Sequence, residues 1–296
     1  MTILIHTLEA LRQWQASLGS KRLALVPTMG NLHDGHLALV KQAQDVAEVV
    51  VVSIFVNPTQ FEANEDLDQY PRTLEADLEA CRLAQVDAVF APNVAVLYPE
   101  GVERDGRFSL VPPTHLTNRL CGKSRPHHFE GVCTVVLKLF NLIQPQVVIF
   151  GEKDAQQLAI IKAMVRDLHL PIEIQAHPVV RNESGLALSS RNKYLQSEEA
   201  QQTAVALFET LVGIAAAVHT LAPQAIPLQK AFELSWQSLQ PMYPLGQGLE
   251  WEYVEAVDAE TFAPQETLST TSRLLVAARL EGVRLIDTLR IDSVLP

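Results

Sequence analysis

Apolar residues follow two different rhythms along the chain. Over roughly the first 180 positions, short unbroken runs of Val, Ile and Leu alternate with longer segments whose apolar residues recur every three or four positions. The runs at 23–26, 49–55, 86–90, 147–150 and 172–176 predict strands. The segments at 37–47, 74–84, 132–141 and 155–168 predict helices between them, with the third opening after Gly131. Unbroken apolar runs suit a parallel sheet covered by helices on both faces. The alternation therefore predicts an α/β fold with a doubly wound, Rossmann-like parallel sheet, where ligands bind beyond the carboxyl ends of the strands.

After about residue 180 the texture changes. Residues 197–221 read as an Ala-rich helix with Ser197 as N-cap and Glu198 and Glu199 in its first turn. Residues 226–239 predict a second helix, ended by a segment containing Pro241, Pro244, Gly246 and Gly248. Runs at 252–257, 273–280 and 283–289 predict strands, the last two joined by Glu281-Gly282. The expected organisation is a doubly wound domain over 1–180 and a smaller C-terminal α+β domain over 181–296. The junction falls between about 175 and 190, and no internal repeat is visible.

Composition narrows the function classes. With 296 residues, 48% hydrophobic and 19% charged, the chain is globular rather than fibrous, disulfide-scaffolded or disordered. Its 34 acidic residues outweigh 23 Lys and Arg, a net charge of −11, which disfavours nucleic acid and anionic membranes as partners. A nucleotide needs only one local cluster of donors. Cys81, Cys121 and Cys133 are odd in number and form no Cys-x-x-Cys, so neither a disulfide framework nor a zinc site is expected, and a reducing compartment is. Residues 1–15 lack the basic-then-apolar pattern of a signal peptide. The runs at 49–56 and 132–143, taken as the most apolar, are too short for a span of about 20 residues or carry Lys138. The expectation is a cytoplasmic protein with no membrane partner.

The strongest local signal is Val26-Pro27-Thr28-Met29-Gly30-Asn31-Leu32-His33-Asp34-Gly35-His36, where a strand gives way to a helix. Backbone N–H groups and the helix dipole favour an anion at such a turn. Gly30 and Gly35 permit close approach or positive φ. His33 and His36, three apart, share one face of the first turn and can donate to phosphoryl oxygens as charge grows in a transition state. The bland alternative is His33 as helix cap and His36 as surface residue. A zinc reading lacks a third ligand at fixed spacing.

His-x-Gly-His after a first strand resembles the signature of the nucleotidyltransferase superfamily. The longer string Pro-Thr-Met-Gly-Asn-Leu-His-Asp-Gly-His is similar to the pantoate–β-alanine ligase (pantothenate synthetase) family within it. Three further blocks match that family in order: Phe55-Val56-Asn57-Pro58-Thr59-Gln60-Phe61, Phe150-Gly151-Glu152-Lys153-Asp154-Ala155-Gln156-Gln157 and Leu188-Ser189-Ser190-Arg191-Asn192. The resemblance covers nearly the whole chain, to Arg284-Leu285-Ile286-Asp287. It implies ATP-dependent, Mg²⁺-assisted condensation of (R)-pantoate with β-alanine through a pantoyl adenylate, with AMP and pyrophosphate released, in a homodimer.

The residue roles divide between spacing and resemblance. Asn57 and Gln60 follow the second strand at the sheet's carboxyl edge, and their amides suit a hydroxyl and a carboxylate, although Asn57-Pro58-Thr59 could simply be a turn. The resemblance puts Gln60 on pantoate and near β-alanine, Asn57 in the pocket lining, and Gln157 on pantoate. Lys153 suits a phosphate, and Asp154 a helix cap or a ribose hydroxyl. Ser189, Ser190 and Arg191 read either as an exposed turn or as a phosphate clamp on a lid that closes over ATP. The resemblance assigns Met29–His36, Gly151, Glu152, Lys153, Asp154, Val180, Leu188 and Ser189–Arg191 to ATP, with Val180 against adenine. His36, His33 and Lys153 are the expected catalytic groups, with His36 as acid, and no metal ligands are assigned. Arg125, His127 and His128 form a second tier that could reach phosphates. Asp77 suits either a phosphate-bound magnesium or a solvated helix face. Gly122-Lys123-Ser124 is not a P-loop, because Thr117 stands where the first Gly belongs. A nucleotidylyltransferase acting on a phosphorylated acceptor would need cations where the chain has Gln60 and Gln157. A non-catalytic ATP-binding module would not need all four blocks.

Overall fold

A computed structural model describes residues 1–62, 65–221, 225–239, 241–243 and 248–294; Pro244 and Gly246 of the expected helix-ending segment lie outside the described residues. The chain falls into two compact units, Met1–Gly151 with Gln156–Pro178, and Glu152–Ala155 with Val179–Pro296.

The first unit is built on six parallel strands: β1 (Ile3–Ile5), β2 (Leu23–Thr28), β3 (Val49–Ile54), β4 (Ala88–Phe90), β5 (Val147–Gly151) and β6 (Glu173–His177), in the order β1-β4-β3-β2-β5-β6. Helices α1 (Leu8–Ala16), α2 (Asp34–Val46) and α3 (Leu74–Leu83) alternate with the first four strands. Three short helices follow, α4 (Val94–Leu97), α5 (Thr114–Thr117) and α6 (Leu120–Ser124). Then come α7 (His128–Ile143) and α8 (Ala155–Asp167). The doubly wound expectation holds, and β2 and β3 are wholly apolar at their centres because both faces are covered: Ala24, Leu25, Val26, Val51 and Val52 are all fully buried.

Strand order reverses between β2 and β5, which is where such sheets open a crevice. The pairing shows how. β2 meets β3 along its whole length but meets β5 only at Ala24↔Val147 and Leu25↔Val148. Beyond Leu25 the two strands part. Pro27, which has no N–H to offer, sits in the part of β2 that no longer pairs with β5.

Three features differ from the sequence reading. β1 and α1 add to the expected elements; Thr7 caps α1 by accepting the Ala10 N–H at 3.2 Å, and Leu11 and Trp14 bury one face. Gly131, expected just before a helix, lies in the first turn of α7. A Cβ there would run into the Thr59 carbonyl and come within 2.7 Å of the Gln60 Cα, so glycine lets this helix pack directly on the 58–60 turn. Gly122 likewise sits inside α6 against Thr117, consistent with the rejected P-loop.

The second unit holds helices α9 (Glu198–Ala204), α10 (Ala206–Leu221) and α11 (Leu228–Leu239) with an antiparallel sheet of β8 (Glu250–Asp258), β10 (Ser272–Leu280) and β11 (Val283–Arg290). A small pair, β7 (Ile226–Pro227) and β9 (Thr267–Leu268), completes it. Ser197 caps α9 through the Ala200 N–H, as expected. Contrary to the sequence reading, Glu198–Leu221 is long and apolar enough to cross a membrane by length and composition. Its apolarity has an internal use: Leu207, Leu211, Ile214, Ala215 and Val218 fill the core of this unit.

All three cysteines are free and buried. Burial pushes the Cys81 thiol up to about 12, with the nearby Asp77 charge adding to the effect, and burial alone does the same for Cys133. Thiolate is the reactive form. The native protein treated with iodoacetamide at mildly alkaline pH is therefore expected to stay unmodified at both positions by peptide mass spectrometry, and to be alkylated at both once unfolded. Rapid native alkylation at either position would contradict this.

Candidate active site

The turn between β2 and α2 has two successive left-handed residues, Gly30 at φ +83° and Asn31 at φ +51°. That geometry points consecutive N–H groups inward, as in an anion-binding nest. The nest already holds an anion. The Asp77 carboxylate, 3% exposed, accepts from Asn31 N at 3.0 Å, Leu32 N at 2.7 Å and Thr73 Oγ1 at 3.1 Å. Asp77 is thus neither a solvated helix carboxylate nor directed at a nucleotide-bound magnesium; it shapes the turn. A Cβ on Gly30 would lie 3.0 Å from Asp77 Oδ2.

Further donors of the turn are engaged as well. Gly30 N donates to Thr28 Oγ1 at 3.1 Å, and His36 N to the His33 carbonyl at 2.8 Å. His33 is the N-cap of α2, and its Nδ1 accepts from Gly35 N at 3.1 Å. His36 completes the capping box, its Nδ1 accepting from His33 N at 3.3 Å. The capping alternative for His33 is correct. Each Nδ1 is an acceptor, so each imidazole carries its proton on Nε2. The two rings lie 4.1 Å apart, centroid to centroid, at the carboxyl end of β2.

Asn57 and Gln60 follow β3 on a single helical turn, Pro58–Gln60. Asn57 is 1% exposed and its amide is occupied: Nδ2 donates to Gln60 Oε1 at 3.0 Å and to the Gly131 carbonyl at 3.2 Å, while Oδ1 accepts from Thr59 and from the Tyr98 hydroxyl at 2.9 Å. Its amide thus ties Gln60 to the start of α7. With Oε1 held by Asn57, Gln60 turns its Nε2 to the Met29 thioether at 2.9 Å, so the β2 and β3 edges meet.

The second-tier residues hold the same turn. Arg125 grips Glu65 with two bonds, at 2.5 and 2.7 Å, and also reaches the Gln60 carbonyl at 3.3 Å. His128 donates from Nδ1 to that carbonyl at 2.8 Å, and its Nε2 faces Arg125 Nη1 at 3.1 Å. The expectation that Arg125 and His128 reach phosphates is replaced by this bracing role, and His127 contributes a backbone N–H to Glu62. Gln156, which sequence reasoning gave no role, anchors the 116–119 segment through the Leu116 and Arg119 carbonyls at 2.8 and 2.9 Å. Gly151 closes β5 opposite His177, and Gln157 is half-buried in the first turn of α8.

The other expected site residues belong to the second unit. Lys153 lies on the turn Glu152–Asp154, with its side chain 20% exposed and its Nζ 3.9 Å from an outward Asp154. Glu152 pairs with the buried Arg273 of β10 at 3.1 Å. Residues 180–188 fold back on themselves: Leu188 N donates to the Val180 carbonyl at 2.9 Å, and Arg181 bridges Ala187. Ser189 then caps a short helical turn, Ser190–Tyr194, by accepting from Arg191 N at 3.3 Å. Lys153, Ser189, Ser190 and Arg191 are thus presented by one body. Among the described residues no group of three or more His, Cys, Asp or Glu is placed to hold a metal ion.

A protein-family model described as pantoate-beta-alanine ligase matches residues 3–290. A pantothenate synthetase from Pseudomonas entomophila is 47% identical over 290 residues, covering 96% of this chain and 97% of that one. The crystal structure of pantothenate synthetase from Thermus thermophilus superposes with a TM-score of 0.88 at 40% identity, covering 98% and 99% of the two chains. A pantoate-beta-alanine ligase from Francisella tularensis, crystallised with beta-gamma ATP and beta-alanine, gives 0.76 at 33% identity over 99% and 98%.

Asp77→Asn keeps the size of the side chain but faces an N–H with an NH₂ group. It is expected to lower unfolding stability by about 1–3 kcal/mol in urea titration. Glu79→Gln, on the exposed side of the same helix, should stay within about 0.5 kcal/mol of the parent. Equal effects for the two substitutions would remove Asp77 from its role in the turn.

Proposed function

The chain belongs to the pantoate–β-alanine ligase family, which joins (R)-pantoate to β-alanine at the expense of ATP, and we propose that its residues divide that reaction between an adenylation and an amide-forming step. In the first step a pantoate carboxylate oxygen attacks the α-phosphorus of ATP and pyrophosphate leaves. In the second, the β-alanine amine attacks the pantoyl carbonyl carbon, loses a proton and expels AMP, giving (R)-pantothenate.

The observation that carries this reading is the pair of imidazoles capping α2 at the strand-order reversal. A carboxylate approaching a polyphosphate is opposed by like charge, and charge builds on the phosphoryl oxygens as the bond forms. His33 and His36 meet that charge with Nε2–H donors whose direction is set before substrate arrives, which is where such donors contribute most. Their role is hydrogen-bond donation. Protonating Nδ1 of His36 would set it against the His33 N–H, so His36 holds its proton at Nε2 rather than serving as the acid expected from sequence.

Lys153, Ser189, Ser190 and Arg191 supply charge and hydroxyls to the β- and γ-phosphates, Asp154 takes the ribose, and Val180, Leu188 and the Met29–Leu32 backbone line the adenosine. Glu152 acts on ATP only through its place beside Lys153. Gln60 and Gln157 hold pantoate and admit β-alanine. The neutral character of this pocket favours a carboxylate with hydroxyls over a phosphorylated acceptor, since the guanidinium beside Gln60 is committed to Glu65. Mg²⁺ would enter with ATP. It would neutralise phosphate charge, and no side chain is assigned to it.

A cytoplasmic location fits three free cysteines. A homodimer fits the fully exposed Phe108 and the 63% exposed Val111 nearby. Light scattering is expected to give twice the chain mass of 32.7 kDa; a monomer would refute the dimer.

Purified protein with MgATP and (R)-pantoate should release pyrophosphate, and repeated AMP turnover should need β-alanine. His36→Ala and Lys153→Ala should each lower the pyrophosphate rate by roughly 10²–10³-fold. Pyrophosphate release with a phosphorylated acceptor but not with pantoate would overturn the reading.

A further inference from the structure

The segment 180–191, which carries Val180, Leu188 and Ser189–Arg191, is fastened within the second unit by a buried ion pair. Arg181 donates to Asp287 of β11 through both terminal nitrogens, Nη1 to Oδ2 at 2.6 Å and Nη2 to Oδ1 at 2.9 Å. The Asp287 side chain is 2% exposed and that of Arg181 15%. The guanidinium also donates to the Thr288 carbonyl at 3.2 Å and to the Gly185 carbonyl at 3.1 Å, and its carbon stands 3.8 Å from the centre of the Phe208 ring on α10. The Thr288 N–H donates to Asp287 Oδ1 at 2.7 Å. Four hydrogen bonds and one ring contact therefore tie this arginine to a strand, a helix and the tip of its own hairpin.

Stability alone is a poor reason for such a pair, because well-packed apolar residues of similar volume serve as well or better. What a bidentate fork adds is direction. Arg181 lies in the hairpin whose outgoing arm carries Leu188, Ser189, Ser190 and Arg191, and it pairs across that hairpin with Ala187. The position of Asp287 on β11 therefore sets the position of the clamp residues. The same strand packs against the turn Glu152–Asp154, and the Lys153 ammonium is near enough to act on the Asp287 carboxylate. On the neighbouring strand β10, Arg273 fixes that turn through Glu152.

We propose that Asp287 and Arg181 are positioning residues for the ATP polyphosphate, holding the Ser189–Arg191 clamp in register with Lys153. The inference rests on the ATP assignment above. Neither residue touches the reacting atoms. Together they keep two phosphate-binding segments, far apart in sequence, on one sheet.

The test compares the full-length parent with Arg181→Lys, Asp287→Asn and the double apolar variant Arg181→Met/Asp287→Leu. KM for ATP and for pantoate, kcat, calorimetric ATP affinity and thermal midpoint are measured for each. Arg181→Lys keeps the charge but loses the fork, and should raise KM and Kd for ATP by roughly 10–100-fold while KM for pantoate stays within about twofold. The double variant should regain thermal stability relative to Asp287→Asn without regaining ATP affinity. Recovery of ATP affinity in the double variant would show that the pair only fills space, and equal changes in both KM values would also overturn the proposal. Failure of the functional reading looks different: the parent itself would show no pantoate-dependent pyrophosphate release. Calorimetric ATP binding would still test the positioning role in that case.

Discussion

The structure of the signature turn depends on one buried carboxylate. Two consecutive left-handed residues at Gly30 and Asn31 create a concave row of N–H groups, a feature that in many proteins receives a phosphate. Here Asp77 fills it from a helix 46 positions away in sequence. Once that anion is built in, the turn has a fixed shape before any ligand arrives. The next amides are taken up by the two histidines in turn. The outcome is a pair of imidazoles oriented by backbone contacts at Nδ1, which the proposed function uses as Nε2–H donors. Rigid donors of this kind gain their advantage from not having to reorganise as charge develops.

The same economy recurs elsewhere. Charged residues that are largely buried hold other groups: Asp77 holds the turn, Arg125 with Glu65 braces the Gln60 turn, Arg181 with Asp287 seats the 181–187 hairpin, and Arg273 seats the turn of Lys153. Lys153, Arg191 and Gln157, which the proposed reaction assigns to substrate, are less buried than these bracing groups. Pairing offsets the bracing charges, so the guanidinium beside Gln60 is neutralised by Glu65.

Much of this is legible in the sequence, and the exceptions have a common cause. Periodicity exposes the alternating strands and helices, and the turn between β2 and α2 can be placed at the carboxyl edge because a β-branched run ends there and capping residues begin. The roles of Asp77, Arg125 and His128 cannot be read, because a lone charged residue looks the same whether it faces a phosphate or a buried partner. Their partners lie 46, 60 and 68 positions away, and Arg181 finds its partner 106 away. Gly131 misleads for a related reason. Glycine early in a predicted helix suggests a boundary, and only the approach of the Thr59 carbonyl shows that the missing Cβ is what allows the helix to continue.

The central claim is that His33 and His36 meet phosphoryl oxygens as neutral, Nε2-protonated donors oriented through Nδ1. Long-range ¹H–¹⁵N correlation spectra of the protein labelled at histidine, recorded at about pH 8 where an ordinary imidazole is neutral, read the tautomer of each ring directly. Both residues should show a protonated Nε2 and an unprotonated Nδ1. A proton on Nδ1 of either ring would contradict the account.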